Sequence, residues 1–329
     1  MLKGPILACG SVNADILGVV DEFCLPGGAA IADHGCFALG GHAANFAVTA
    51  ARLGAPVELS AAIGDDPNGV WAADILDRAG VGLDAVTRSA THTGVVFVPV
   101  HRSSGERGLY LIRGANADWQ PPEEAVAARC PLAVVFDPPV HATAYFADKF
   151  PGRWIFSPGS LAEYVDLSAH LPVIRTCALL VVNAFEADLL GAGSKPEAAA
   201  GVLHDMLGVP AVVTAGADGS WLADGEGVVH HQPAFAVDEV VDTTGAGDSY
   251  LAGLAWALTN GVPVRPAMRR ASAVAALVLR ALGATASAPT AAEVELLLRT
   301  VPERQTAPVP NESTRAPACP AARSHGEDG

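Results

Sequence analysis

Val241-Asp242-Thr243-Thr244-Gly245-Ala246-Gly247-Asp248, late in the chain, combines the residue types that phosphoryl chemistry needs. Gly-Ala-Gly lets the backbone bend tightly and come close to a ligand. Next, Leu251, Leu254, Ala255 and Leu258 on one face, with Asn260-Gly261 as a stop, predict an amphipathic helix. The free N–H groups of its first turn, with the helix dipole, make an anion site, and Asp248 stands at its mouth. A phosphate repels a carboxylate. The acid makes sense there as a base that takes a proton from an alcohol while the cradle holds the phosphoryl group. The plainer alternative is a glycine-rich turn with Asp248 as an ordinary first-turn helix residue.

A second group of polar residues lies near the N-terminus. Asn13 and Asp15 follow an apolar strand and Gly10-Ser11, and they point the same way if extended. A solvated turn is the competing reading of that segment. Gly40-Gly41-His42-Ala43-Ala44-Asn45 leads into a helix over 43–53, with Gly54 past its end. Further on, Asn183-Ala-Phe-Glu186 and Thr214-Ala-Gly216-Ala-Asp-Gly219 each follow a short apolar run. Asn183 and Glu186 have the spacing of a capping box, and an amide with a carboxylate also suits a hydrated Mg²⁺.

Two of these segments resemble the paired signatures of the ribokinase-like (PfkB) family of sugar and nucleoside kinases. They are Asp242–Asp248 and Gly40–Asn45, the latter followed by Ala51-Arg52-Leu53-Gly54 and Gly64-Asp65-Asp66-Pro67-Asn68-Gly69. They stand in the right order, and the resemblance covers roughly residues 5–300. It implies an α/β fold with a central, mostly parallel sheet, helices on both faces and a small β-sheet lid. The kinase domain would span 1–300, with lid segments near 12–40 and 92–116.

The activity implied is transfer of the γ-phosphoryl of MgATP to a hydroxyl, a primary CH₂OH, of a sugar or sugar-like polyol. A nucleoside kinase of the adenosine, inosine or guanosine type is the alternative, and a silent sugar- or nucleotide-binding protein the non-enzyme one. By resemblance Asp248 is the base, and the Gly245, Ala246 and Gly247 amides stabilise the transferred group. Asn13, Asp15, Gly41, His42 and Asn45 hold the acceptor; Asn183 and Glu186 order Mg²⁺ and its waters. Thr214, Gly216, Gly219 and Thr244 belong to the nucleotide site, with adenine beside a long helix from Pro266 to Gly283. Asp242, Thr244, Val278, Gly283 and Ser287 map onto a monovalent-cation loop for K⁺. Lid strands of this family often pair between subunits, which implies a homodimer.

The chain departs from ribokinases at His42, where they carry lysine, and at Ala43, where they carry glycine. A flat ring, at most half charged near neutral pH, would grip other hydroxyls than those of ribose or stack on a ring. Arg113, before the family-like Gly114-Ala115-Asn116-Ala117, reads as partner of a surface acid rather than of an anionic substrate. A nucleoside acceptor would need an aromatic slot, for which the lid offers Phe23, Phe37 and Phe97.

The elements that must position these residues have clear patterns. Apolar runs at 5–9, 57–63, 134–136, 154–156, 178–182 and 211–214 alternate with helical segments, one of them at 69–79, which means a parallel sheet covered on both faces. Ligands of such sheets bind at the carboxyl ends of the strands, where the candidate residues fall. Segments 93–100 and 109–112 form a hairpin across a polar turn at 101–108; 221–223 and 228–235 form another. Residues 301–329 have the composition of a disordered tail.

Composition excludes several classes. Of 329 residues, half are hydrophobic and 17% charged, which supports a large core; the net charge of −15 argues against a nucleic-acid partner. With no 18-residue apolar run and no long apolar N-terminal stretch, no membrane partner is expected and a cytoplasmic location is. Six scattered cysteines do not make a disulfide scaffold, and Cys9 and Cys177 read as core residues. His230 and His231 would point to opposite faces of a strand, so they could not share a metal ion. Gly-x-x-x-x-Gly-Lys-Ser/Thr, Gly-x-Gly-x-x-Gly and Gly-x-Ser-x-Gly are all absent.

Overall fold

The computed structural model describes residues 4–103, 107–138, 140–159, 167–281 and 283–304. Its strands, in chain order, are β1 (Ile6–Cys9), β2 (Asn13–Val20), β3 (His34–Gly40), β4 (Val57–Gly64), β5 (Gly82–Ser89), β6 (Gly94–His101), β7 (Tyr110–Ile112), β8 (Leu132–Phe136), β9 (Trp154–Ser157), β10 (Leu179–Asn183), β11 (Ala211–Thr214), β12 (Ser220–Ala223) and β13 (Val229–Gln232). The helices are α1 (His42–Arg52), α2 (Pro67–Arg78), α3 (Glu124–Ala127), α4 (Val140–Lys149), α5 (Leu171–Ile174), α6 (Ala184–Leu189), α7 (Pro196–Leu207), α8 (Ala246–Thr259), α9 (Val264–Val278) and α10 (Ala291–Thr300).

Nine strands form one sheet in the order β13-β12-β11-β10-β9-β8-β1-β4-β5. Pairing is parallel from β5 through to β11 and antiparallel in the β11–β12–β13 edge. Side chains alternate across it. Ile6 and Ala8 join the apolar cluster on one face with residues of α1, α2, α8 and α9. Leu7 and Cys9 join the cluster on the other face with residues of α4 and α7. Both faces are therefore covered, as continuous apolar strands require.

The second sheet has four strands, β3-β2-β6-β7, with β2 and β6 parallel. Its inner face is a small cluster around Leu17, Val96 and Val98. Its other face is bare: Phe37 is 70% and Phe97 42% exposed. The β6–β7 hairpin is present, but residues 104–106 of its turn lie outside the described residues.

Three sequence expectations are corrected. The helix after the glycine turn is not amphipathic: most of α8, from Asp248 to Ala255, is buried on all sides between α1 and α9. Gly253 permits that packing, because a Cβ there would sit 2.8 Å from Val274 Cγ2. The long helix runs from Val264 to Val278 and stops short of Gly283. Residues 301–304 belong to the folded body, since Glu303 bridges to Phe235 and accepts from Arg269 Nε at 2.7 Å. Residues 305–329 lie outside the described residues.

His230 and His231 do point apart: Nε2 of the first bonds Asp224 Oδ2 at 2.7 Å, and Nε2 of the second donates to the Asp218 carbonyl at 2.8 Å. Among the described residues, no helix is long and apolar enough to cross a membrane, and no three acidic, His or Cys side chains gather as metal ligands.

Candidate active site

The site is built where two helices start side by side. α1 begins at Gly41 (φ 94°) and α8 at Gly245 (φ 71°), and neither has a side-chain cap. Both glycines hold backbone angles that a side chain resists. A Cβ on Gly41 would strike the Ser11 backbone, and one on Gly245 would strike Ala284. Among the described residues, the Gly247 and Asp248 amides have no protein acceptor, whereas the Ala246 amide leans back to the Thr243 carbonyl at 3.3 Å. The Gly245 amide likewise has no acceptor among the described residues, so open donors flank Ala246 on both sides.

Asp248 is buried, and its oxygens are divided between two partners. Oδ1 meets His42 Nδ1 at 2.7 Å, and Oδ2 accepts from Asn45 Nδ2 at 2.8 Å. His42 Nε2 faces Asp137 Oδ2 at 3.6 Å. Burial alone would depress the imidazole; Asp248 and then Asp137 outweigh it and lift its pKa to about 10. This corrects the half-charged histidine: His42 is a full cation at neutral pH. Its ring stacks on Phe136, 6.0 Å between centroids, and it holds the candidate base itself.

Asp137 was not singled out from the sequence. It follows the last residue of β8, at the carboxyl edge where ligands of such sheets bind. It is the one described non-glycine residue with positive φ, 47°, a strained conformation of the kind found at functional sites. Gly159 makes room for it, because a Cβ there would meet the Asp137 carboxyl group.

Asn13 and Asp15 share the inner face of β2. Asn13 Oδ1 accepts from Asn116 Nδ2 at 2.8 Å, and Asn116 Oδ1 accepts from the Val12 amide at 2.9 Å. Asp15 Oδ1 and Asn45 Oδ1 are both buried without a hydrogen-bond partner among the described residues. Burial pushes Asp15 up to about 7; His42 pulls against that and Asp248 adds to it.

These residues line a cavity of about 150 Å³ with Val96, Val98, Ile112, Arg113 and Asp137. Phe23, Phe37 and Phe97 are absent from its lining, because strand alternation turns Val96 and Val98 inward and Phe97 outward. Arg113 does line it and has no acidic partner among the described residues, so the expected surface ion pair is corrected.

A second cavity of about 420 Å³ adjoins the first and shares His42, Arg107, Leu109, Gly245 and Asp248 with it. Asn183, Glu186, Thr214, Thr243 and Gly247 line its other walls. Asn183 and Glu186 do form a capping box on α6, with bonds of 2.8 and 2.9 Å. Glu186 is raised to about 7 by burial, against the Asn183 amide and His42. Gly216 and Gly219 shape the turn after β11 without entering the lining, and Thr244 lines the first cavity rather than the second. The Asp242 loop is closed by its own bonds. Its Oδ1 accepts from Thr244 N and Oγ1, its Oδ2 accepts from Gly283 N, and Ser287 Oγ donates to the Val278 carbonyl. Asp242 thereby ties the glycine turn to Gly283.

A carboxylate beside open helix amides, between two adjoining cavities, defines a phosphotransferase with an alcohol group as acceptor. The chain belongs to the pfkB family of carbohydrate kinases, whose model matches residues 4–144 and 155–291. It is 29% identical over 306 residues to a ribokinase of Haemophilus influenzae, covering 89% of this chain and 97% of that one. It is 27% identical over 297 residues to a nucleoside kinase of Methanothermobacter thermautotrophicus, covering 88% and 93%. The solved Arabidopsis thaliana ribokinase complexed with ribose and ATP superposes with a TM-score of 0.81 at 26% identity, covering 91% and 99%.

Proposed function

We propose that this enzyme transfers the γ-phosphoryl group of ATP, as its Mg²⁺ complex, to a primary hydroxyl of a sugar or sugar-like polyol. The carrying observation is the pair of buried acceptors without partners, Asp15 Oδ1 and Asn45 Oδ1, in a cavity with no aromatic slab from the lid. A buried acceptor left unmade costs about 1–3 kcal/mol, and hydroxyl donors of a polyol would recover it. A nucleoside would want a stacking surface for its base; Phe23, Phe37 and Phe97 offer none there, and the rings on the lining are Trp119 and His42.

Asp248 takes the hydroxyl proton. His42 and Asn45 fix the orientation of its carboxylate. Asp15, Asn45 and Asn13 orient the acceptor. The Gly247 and Asp248 amides face the transferred group, and Gly245 lets the backbone come that close. Gly247 has nothing within 4 Å of where a Cβ would point, so the cradle has room for a phosphate. Glu186 is the carboxylate for Mg²⁺; its Oε2 is committed to the Asn183 amide while its Oε1 has no partner among the described residues. When bound, Mg²⁺ neutralises charge developing on the phosphates. The bare face of the small sheet, with Phe37 and Phe97, is the surface proposed for pairing two copies.

The test is ADP release with MgATP against ribose, fructose, other hexoses, sugar acids, cyclitols, adenosine, inosine and guanosine. Turnover on a sugar supports the reading; turnover confined to nucleosides replaces it.

A further inference from the structure

Arg107 carries a charge that no carboxylate in the described structure neutralises. It sits on the small sheet, bridged to Val100, and reaches across to the glycine turn, where Nη1 donates to Thr244 Oγ1 at 2.7 Å. That hydroxyl donates onward to Asp242 Oδ1 at 2.7 Å, so its lone pairs are left to face the guanidinium. One of five N–H donors is thereby used. His42 and Asn45 each bond one oxygen of Asp248, and among the described residues no ion pair joins that carboxylate to Arg107. Arg107 is also one of the few residues lining both cavities, with His42, Leu109, Gly245 and Asp248. Those residues form the boundary a phosphoryl group crosses. His42 is already engaged with two acids there, which leaves Arg107 as the cation with open donors.

We infer that Arg107 binds the γ-phosphate of the nucleoside triphosphate from the small-sheet side, opposite the glycine-turn amides, with Thr244 as its positioning residue. A planar guanidinium with several N–H groups suits two phosphate oxygens at once. The inference deepens the kinase reading and rests on it for the direction of transfer.

The test is calorimetric binding of MgADP and of the magnesium complex of the β,γ-imido analogue of ATP, which needs no acceptor and no turnover. Arg107→Ala is expected to weaken the imido analogue about 10- to 100-fold and to leave ADP within about twofold. Arg107→Lys should recover part of the loss, and Thr244→Val should reproduce a few-fold fraction of it. Equal losses for both nucleotides, or no loss for either, would overturn the assignment and make the Thr244 contact a structural latch. Weakened sugar binding with unchanged nucleotide discrimination would move the guanidinium to the acceptor and overturn it too. Wild-type protein that discriminates the two nucleotides through Arg107 yet phosphorylates nothing would keep Arg107 and remove only the kinase reading. Wild-type protein that binds neither nucleotide would remove both.

Discussion

The two sheets differ in how much of themselves they bury. β1, β4 and β8 of the large sheet are buried along their full length, with an apolar cluster on each face. The small sheet has a core of three buried side chains and one face open to solvent. The first is rigid because nothing in it can move without opening a packed interface. The second has little to lose, so it can shift against the site at low cost. The candidate chemistry lies on the seam, with Asp137, Asp248 and His42 on the large body and Asn13, Asp15 and Arg107 on the small sheet.

That contrast can be broken or sharpened by substitution. The largest effect belongs to the seam: Asp248→Asn should lower kcat roughly 100- to 10,000-fold in steady-state kinetics. Folding stability comes next. Leu59→Ala, in the middle of β4, should cost about 2–5 kcal/mol by urea denaturation, while Val98→Ala on the small sheet should cost about 1 kcal/mol. Equal costs would abolish the distinction between the sheets.

Asp15→Asn should raise the acceptor KM about 10- to 100-fold and change kcat little. In the parent protein that KM should fall as pH rises through 7, because Asp15 is held up to about 7 by burial and accepts hydroxyl protons best when ionised. For stability the sign is opposite. An acid raised from 3.8 to about 7 stabilises the fold below 3.8, and this contribution is lost by pH 7. His42, raised from 6.5 to about 10, contributes stability that is full below pH 6.5 and lost by pH 10. Urea midpoints of His42→Gln and parent should therefore converge as pH approaches 10. The smallest effect is Phe97→Ser, expected within about 0.5 kcal/mol for the monomer, with sedimentation reading any loss of a dimer.

Much of this was legible from residue types alone. The apolar runs marked the parallel strands, because a strand buried on both faces has no room for polar residues. The glycine turns marked both helix starts, because only glycine tolerates those angles. What stayed hidden depends on which distant groups meet. No local pattern announces that His42 will face Asp248 and Asp137, so its charge state could not be read from its neighbours in sequence. Asp137, followed by two prolines, matches none of the motifs read from the sequence. Arg107 fell in a polar turn and Arg113 read as partner of a surface acid, yet both line the first cavity. The burial of α8 depended on α1 and α9 closing over the face that the pattern left polar.

The bond between His42 and Asp248 joins residues 206 positions apart, and Thr49 meets Ser249 at 3.2 Å across a similar span. During synthesis α1 therefore emerges long before α8, its partner. At about 5–20 residues per second, Ala44, Ala47 and Ala50 wait roughly 10–40 s for the helix that covers them. Until then the nascent chain has an acceptor-binding half without a base, so catalytic competence arrives as a late event on the ribosome, all at once.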